Sequence, residues 1–222
     1  MVTAEETRAA RSRRSYRSPL RERRAAETRS AILAAADRLF MTKGWAGTGM
    51  RDVASAAGVA TETLYGHFSS KRVLLQEVIN IALVGDTEPV AVADRPEFAA
   101  MSRGSHADRT AAAARLVTAI YGRTVTLAKV IREAAASDGE IGDMLQATRE
   151  RQREDVAGAI KLIAGREPTV AERDGVWALT SPEVYLLLVE NSGWSADQYE
   201  SWMAETLERV VPAHKIRGRQ RR

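Results

Sequence analysis

Cysteine is absent from the 222 residues. No disulfide can form, and no thiolate is available as a metal ligand or nucleophile. Histidine is scarce: His67 sits in a helical motif, His106 in a loop and His214 in a terminal tail, so no ligand cluster forms in the sequence. Phosphate-loop glycine patterns and nucleophile–base pairings are also missing. Glu150 and Glu154 are spaced i, i+4, but they lie in a run with Arg149, Arg151 and Arg153 that reads as a solvated helix face. These absences argue against an enzyme and imply no cofactor. No apolar run approaches the roughly 18 residues that a membrane span requires, and the Arg-rich N-terminus lacks the apolar segment of a secretory signal. The expectation is a soluble cytoplasmic chain with no membrane partner. No segment of useful length alternates as a strand would, and no internal repeat is visible, so the fold class expected is all-α.

The charge is unevenly spread. Residues 1–84 carry 14 basic and 8 acidic side chains, residues 85–212 carry 14 and 21, and residues 213–222 carry 5 and none. A basic N-terminal part on an acidic body fits a small nucleic-acid-binding unit joined to a body with another task.

Residues 48–71 carry the most informative pattern. Met50, Val53, Ala54 and Ala57 mark one apolar helix face, and Val59, Leu64 and Phe68 mark another, with Gly58 between them. Glycine adopts the left-handed conformation that a sharp turn needs. Two helices joined this way form a helix-turn-helix, whose second helix enters the DNA major groove. That second helix turns Thr61, Glu62, Thr63, Tyr65 and His67 outward, all able to hydrogen-bond to phosphate or base edges, and Lys71 follows.

In order along the chain stand Leu39-Phe40, Gly44-Trp45, Thr48, Arg51-Asp52-Val53-Ala54, Ala57-Gly58-Val59, Thr63-Leu64-Tyr65, His67-Phe68, Ser70-Lys71 and Leu74. From Ile32 to Leu75 the chain resembles the DNA-binding domain of the tetracycline-repressor (TetR) family, whose pattern reads T-x-x-R-D-[IV]-A-x-x-A-G-V-[SA]-x-x-T-L-Y-x-H-F-x-S-K-x-x-L. The resemblance implies about nine helices: an N-terminal three-helix helix-turn-helix domain, then a helical ligand-binding and dimerisation domain. It implies a homodimeric regulator, most simply a ligand-responsive repressor on a palindromic double-stranded operator. An activator, or a regulator needing no ligand, would share the fold. Carried across, Thr48, Tyr65, His67 and Lys71 touch phosphates. Tyr65 as a core residue and His67 as a helix cap stay open alternatives. Arg51 reaches a guanine edge or a phosphate, and Thr61 and Glu62 stand where the family reads bases. Glu62 is unusual there, since phosphate repels a carboxylate, although it can accept from cytosine N4. Gly66 replaces a frequently bulky residue and so removes one base contact.

The domain expectations follow. Residues 1–24, rich in arginine, form a disordered basic arm. The DNA-binding domain spans 25–84, its first helix running from Ala25 to Thr42. Thr48 caps the second helix. The third opens at Ala60 or Thr61, with Thr61 taking the cap where the family commonly has Ser at 60. Ser70 caps the fourth. Residues 85–97 are a proline-containing loop. The body, 85–212, holds helices at Asp108–Val125, continuing after a bend as Thr126–Ala136, at Glu140–Ile163, at Thr169–Val189 with a kink near Ser181 caused by Pro182, and from Ser195 to Pro212. Residues 213–222 are a disordered basic tail.

For a small apolar effector the body offers Tyr121, Met144, Trp177, Thr180 and Tyr185, aromatic and soft groups with hydroxyls that suit a drug-sized site. Pro182 would free a backbone carbonyl nearby. The last two helices, paired with their copies, would form the dimer through Val184, Leu187, Leu188, Tyr199, Trp202, Met203, Leu207 and Val210.

Overall fold

The computed structural model describes residues 19–213 apart from 87 and 89. Expectations for residues 1–18 and for the basic tail from 214 lie outside the described residues. Helices dominate, and no strand occurs among the described residues. None of these helices is long and apolar enough to cross a membrane.

Helix α1 spans Pro19–Lys43 and starts six residues before the expected Ala25. Proline pre-sets the backbone of a first turn and lacks an N–H that would go unused there. The arginines that read as an arm are also good helix formers. α2 (Met50–Ala57) is preceded not by a threonine cap but by Gly49, whose N–H donates to the Asp52 carboxylate at 3.2 Å. α3 (Thr61–His67) follows a turn at Gly58, φ 69°, whose left-handed backbone sends its N–H to Ser55 and that of Val59 to Ala54. Ala60 occupies the N-cap of α3 without a side-chain bond, so Thr61 is the first helical residue and not the cap. α4 (Lys71–Val84) is capped by Ser70, whose hydroxyl accepts from Val73 N–H.

Short turns at Val92–Asp94, Pro96–Ala99 and Ala100–Ser102 lead into α5, His106–Ser137. This helix is one piece, without the bend expected near Val125. No proline interrupts it, and the hydroxyls of Thr118 and Thr124 bond back to carbonyls one turn earlier. A reciprocal cap by Ser105 and Asp108 starts it. α6 (Gly139–Ala164), α7 (Val170–Leu179), α8 (Pro182–Tyr185) and α9 (Ala196–Val210) complete the chain.

Pro182 does more than kink its helix. The helix ends at Leu179, and Ser181 takes the extended backbone favoured before proline. After α8 the chain widens into a π-helical turn, Leu186–Asn191, where Ser192 N–H donates to Leu187 O at 3.0 Å. The break leaves the Thr180 carbonyl outside any helix ladder. The Tyr121 hydroxyl, from α5, donates to it.

Two cores result. The first gathers Ile32, Phe40, Val53, Leu64, Phe68, Leu74 and Val78 with Leu127, Val130, Ile131 and Ala134 of α5. The body helix therefore completes the interior of the N-terminal unit, and packing runs across the sequence boundary near residue 84. The second core lies within the body, where α9 packs along α5 and α6 packs beside it.

Candidate nucleic-acid interface and body cavity

Leu64 and Phe68 anchor α3 from beneath, exposed by 0% and 1%. With that face fixed, the 3.6-residue period turns Glu62, Thr63, Tyr65 and Gly66 outward, and Thr61 and His67 lie half-buried at the edges. Tyr65 is 50% exposed, which removes the core alternative. Arg51 of α2 is exposed beside this row. A Cβ built on Gly66 would meet nothing within 4 Å, so the surface there is open.

Two of the expected phosphate-contact residues have partners inside the protein. Thr48 is 2% exposed, and its hydroxyl donates to Gly44 O at 2.8 Å. Lys71 donates through Nζ to Trp45 O and sits 4.0 Å above the Trp45 ring centroid. Partial burial pushes its ammonium below the usual lysine range, with the nearby Glu133 charge opposing that shift. Both residues brace the turn between α1 and α2 in this conformation. The sequence pattern could not separate that role from phosphate contact, because hydroxyl and ammonium groups suit either.

A partly open cavity of about 780 Å³ lies in the body, against the N-terminal unit. Its apolar walls include Phe98, Met101, Leu116, Val117 and Ile120, none of them among the five effector candidates. Ile81 of α4 and Arg29 of α1 close it on the side of the N-terminal unit. A second space of about 300 Å³ lies beside it, along Thr124, Leu127, Ile131 and Pro182, and Trp177 borders both. The Arg153 guanidinium stands 4.5 Å over the Trp177 ring.

Of the five effector candidates, Tyr121, Trp177 and Thr180 line the larger cavity. Met144 and Tyr185 do not. Met144 packs against the first core, and Tyr185 is buried between Tyr121 and Tyr199, at ring separations of 5.8 and 4.8 Å. Burial pushes the Tyr121 phenol well above its ordinary range, so it stays a neutral donor to Thr180 O. Aromatic, soft and hydroxyl chemistry singles out all five in the sequence, but whether such a side chain faces a void or a neighbour is decided only by packing.

The interface candidates divide similarly. Tyr199, Met203 and Leu207 are at most 2% exposed, in the protomer's own core against α5, and so cannot form an intermolecular seam. Val184, Leu188 and Trp202 are half-buried against that core. Leu187, 57% exposed, and Val210, 37% exposed, remain at the surface.

The sequence model of the family described as bacterial regulatory proteins, tetR family, matches residues 32–78, the span from the middle of α1 to α4. The match places residues 32–78 in the tetR family of bacterial regulatory proteins. It is 41% identical over 80 residues to the HTH-type transcriptional regulator EthR of Mycolicibacterium smegmatis, covering 36% of this chain and 35% of that protein. It is 41% identical over 56 residues to the HTH-type transcriptional regulator TtgR of Pseudomonas putida, covering 25% and 27%. The matches thus span about a third or less of these relatives' length. Fold similarity reaches further. A solved TetR-family transcriptional regulator from Mesorhizobium loti superposes with a TM-score of 0.65 at 21% identity, covering 85% of this chain and 96% of that one. The multidrug binding protein EbrR, solved with imidazole, gives 0.54 at 23%, covering 85% and 97%. The matched span contains both α2 and α3, the two helices joined at Gly58.

Proposed function

We propose that this tetR-family chain is a homodimeric transcriptional repressor that binds a palindromic operator and is released from it by a small, largely apolar molecule held in the body cavity. The observation that carries the DNA-binding half is the α3 face: Glu62, Thr63 and Tyr65 stand outward beside Arg51, over a helix fixed by buried Leu64 and Phe68. A hydroxyl, a phenol and a guanidinium on a rigid surface can position a protein on phosphates and reach base edges. Two copies would present two such helices about 34–36 Å apart for successive major grooves. EthR and TtgR are named transcriptional regulators, which supports this reading.

The cavity supports the sensing half. Its volume is in the range of drug-sized sites, about 300–1,000 Å³, and its walls are mostly apolar. That EbrR is a multidrug binding protein of the same fold points the same way. A gel-shift series on the DNA upstream of this gene, repeated with rising salt and then with a panel of apolar compounds, tests both halves. Binding should fall steeply with salt, and at least one compound that quenches Trp177 should release the DNA. Absence of any shifted complex would defeat the first half. Compounds that enter without altering the complex would defeat the second.

A further inference from the structure

Arg29 stands where the cavity meets the DNA-binding unit. It is the one cavity-lining residue from α1, and no lining residue belongs to α2 or α3. Its Nη2 donates to Glu77 Oε2 of α4 at 2.5 Å, and Glu77 lines the cavity as well. The same guanidinium lies 5.2 Å from the ring centroid of Phe68. Phe68 closes the recognition helix: its N–H donates to Leu64 O at 2.9 Å, and its side chain is buried in the first core. One side chain therefore borders the void on one side and the end of α3 on the other.

The contact is suited to transmit a displacement. A guanidinium is planar and cannot lose its charge, so it stays where its partners hold it. Here a carboxylate and the face of an aromatic ring hold it, and the ring's electron-rich face attracts a cation only at close range. An occupant that presses on Arg29, or competes for Glu77, moves the group off the ring. Phe68 would then lose part of the wall that seats the last turn of α3. The aliphatic residues of α4 in the cavity, Ile81, Leu83 and Val84, lie at the far end of that helix from Phe68.

We propose that Arg29 is the relay through which occupancy of the cavity reaches the recognition helix. The proposal rests on the ligand-sensing reading above. A test independent of the effector's identity uses the absence of cysteine. Val117→Cys on the cavity wall is labelled with monobromobimane in the full chain, in the Arg29 background and in Arg29→Met, and occupancy is confirmed by mass. Affinity is then measured for a duplex that the unmodified chain binds. The label should weaken DNA binding at least tenfold with Arg29 in place and less than twofold with Arg29→Met. Amide exchange at Leu64 to Phe68 should rise on labelling only in the Arg29 background. Equal loss of affinity in both backgrounds, with equal exchange, would overturn the relay and leave ligand sensing intact. If the label leaves affinity unchanged even with Arg29, the sensing reading falls and the relay falls with it. Arg29 is part-exposed, so its replacement by Met leaves the core unchanged, and a thermal melt of each unlabelled chain verifies this.

Discussion

Glu133, on the body helix α5, accepts the backbone N–H of Trp45 at 3.3 Å across 88 residues of sequence. The same carboxylate takes the Ala46 N–H at 3.3 Å and lies close against Gly44. Gly44 has φ 67°, and a Cβ there would come within 2.8 Å of the carboxylate, so glycine serves both the backbone and the approach. Together with Arg72, which pairs with Asp138 and Glu140, this contact fixes the helix-turn-helix unit to the body. Glu133→Ala should lower stability by about 1 kcal/mol and speed amide exchange at Trp45 and Ala46. Unchanged exchange at those two amides would show that the bonds do not hold the turn.

Tyr65 is 50% exposed on the outward side of α3. Tyr65→Phe should weaken binding to all DNA sequences alike, and Arg51→Ala, if it loses a phosphate contact, should also reduce the slope of log affinity against log salt by about one. Thr48→Val should instead cost about 1 kcal/mol of folding stability through the lost bond to Gly44, with the salt slope unaltered. Fluorescence anisotropy at several salt concentrations separates these outcomes. A reduced slope for Thr48→Val would return that residue to the DNA contacts.

Tyr121→Phe removes the donor that satisfies Thr180 O at the helix break. Losing a hydrogen bond at this part-buried carbonyl should cost about 1 kcal/mol, which urea unfolding should show with native helix content retained. A neutral result would mean that water replaces the phenol.

Leu187 and Met203 should behave as opposites. Leu187→Glu places a charge on an exposed position and should leave the protomer folded while weakening self-association. Met203→Glu buries a charge in the protomer core and should cost several kcal/mol of stability. Light scattering combined with circular dichroism reads both. A chain that remains a dimer of the same strength in Leu187→Glu would place the interface elsewhere.

The Glu172 carboxyl is held at about 2, below its ordinary 4.5, chiefly by hydrogen bonds from Arg166 and then by the Thr169 N–H. A carboxyl with a depressed folded-state value contributes fully above its unfolded value and loses that contribution as pH falls through the window between the two. Wild type should therefore be more stable than Glu172→Gln at about pH 5, and the gap should close as pH approaches about 2. Urea midpoints across that range check this, and a gap independent of pH would rule the ion pair out as its source.

Much of the architecture was legible because it depends on local patterns. Helical periodicity, Gly58 at the turn, the caps at Ser70, Thr169 and Ser195, and the proline at 182 all act within a few residues of themselves. The same periodicity predicted which residues of α3 point outward, since Leu64 and Phe68 define the buried side. Tertiary structure decided what local pattern leaves degenerate. An apolar residue on a helix can face a void, a neighbouring helix or a second copy, and only packing distinguished Trp177 from Met144, and Leu187 from Met203. Polar groups were equally ambiguous: Lys71 and Thr48 carry the chemistry of phosphate contacts, yet a tryptophan ring and a glycine carbonyl reached them first. The joint that links body to DNA-binding unit, Glu133 to Trp45, and the contact of Arg29 with Phe68 inside that unit connect residues dozens of positions apart. No spacing rule relates such residues, because their proximity comes from the way α5 and α4 lie against α1.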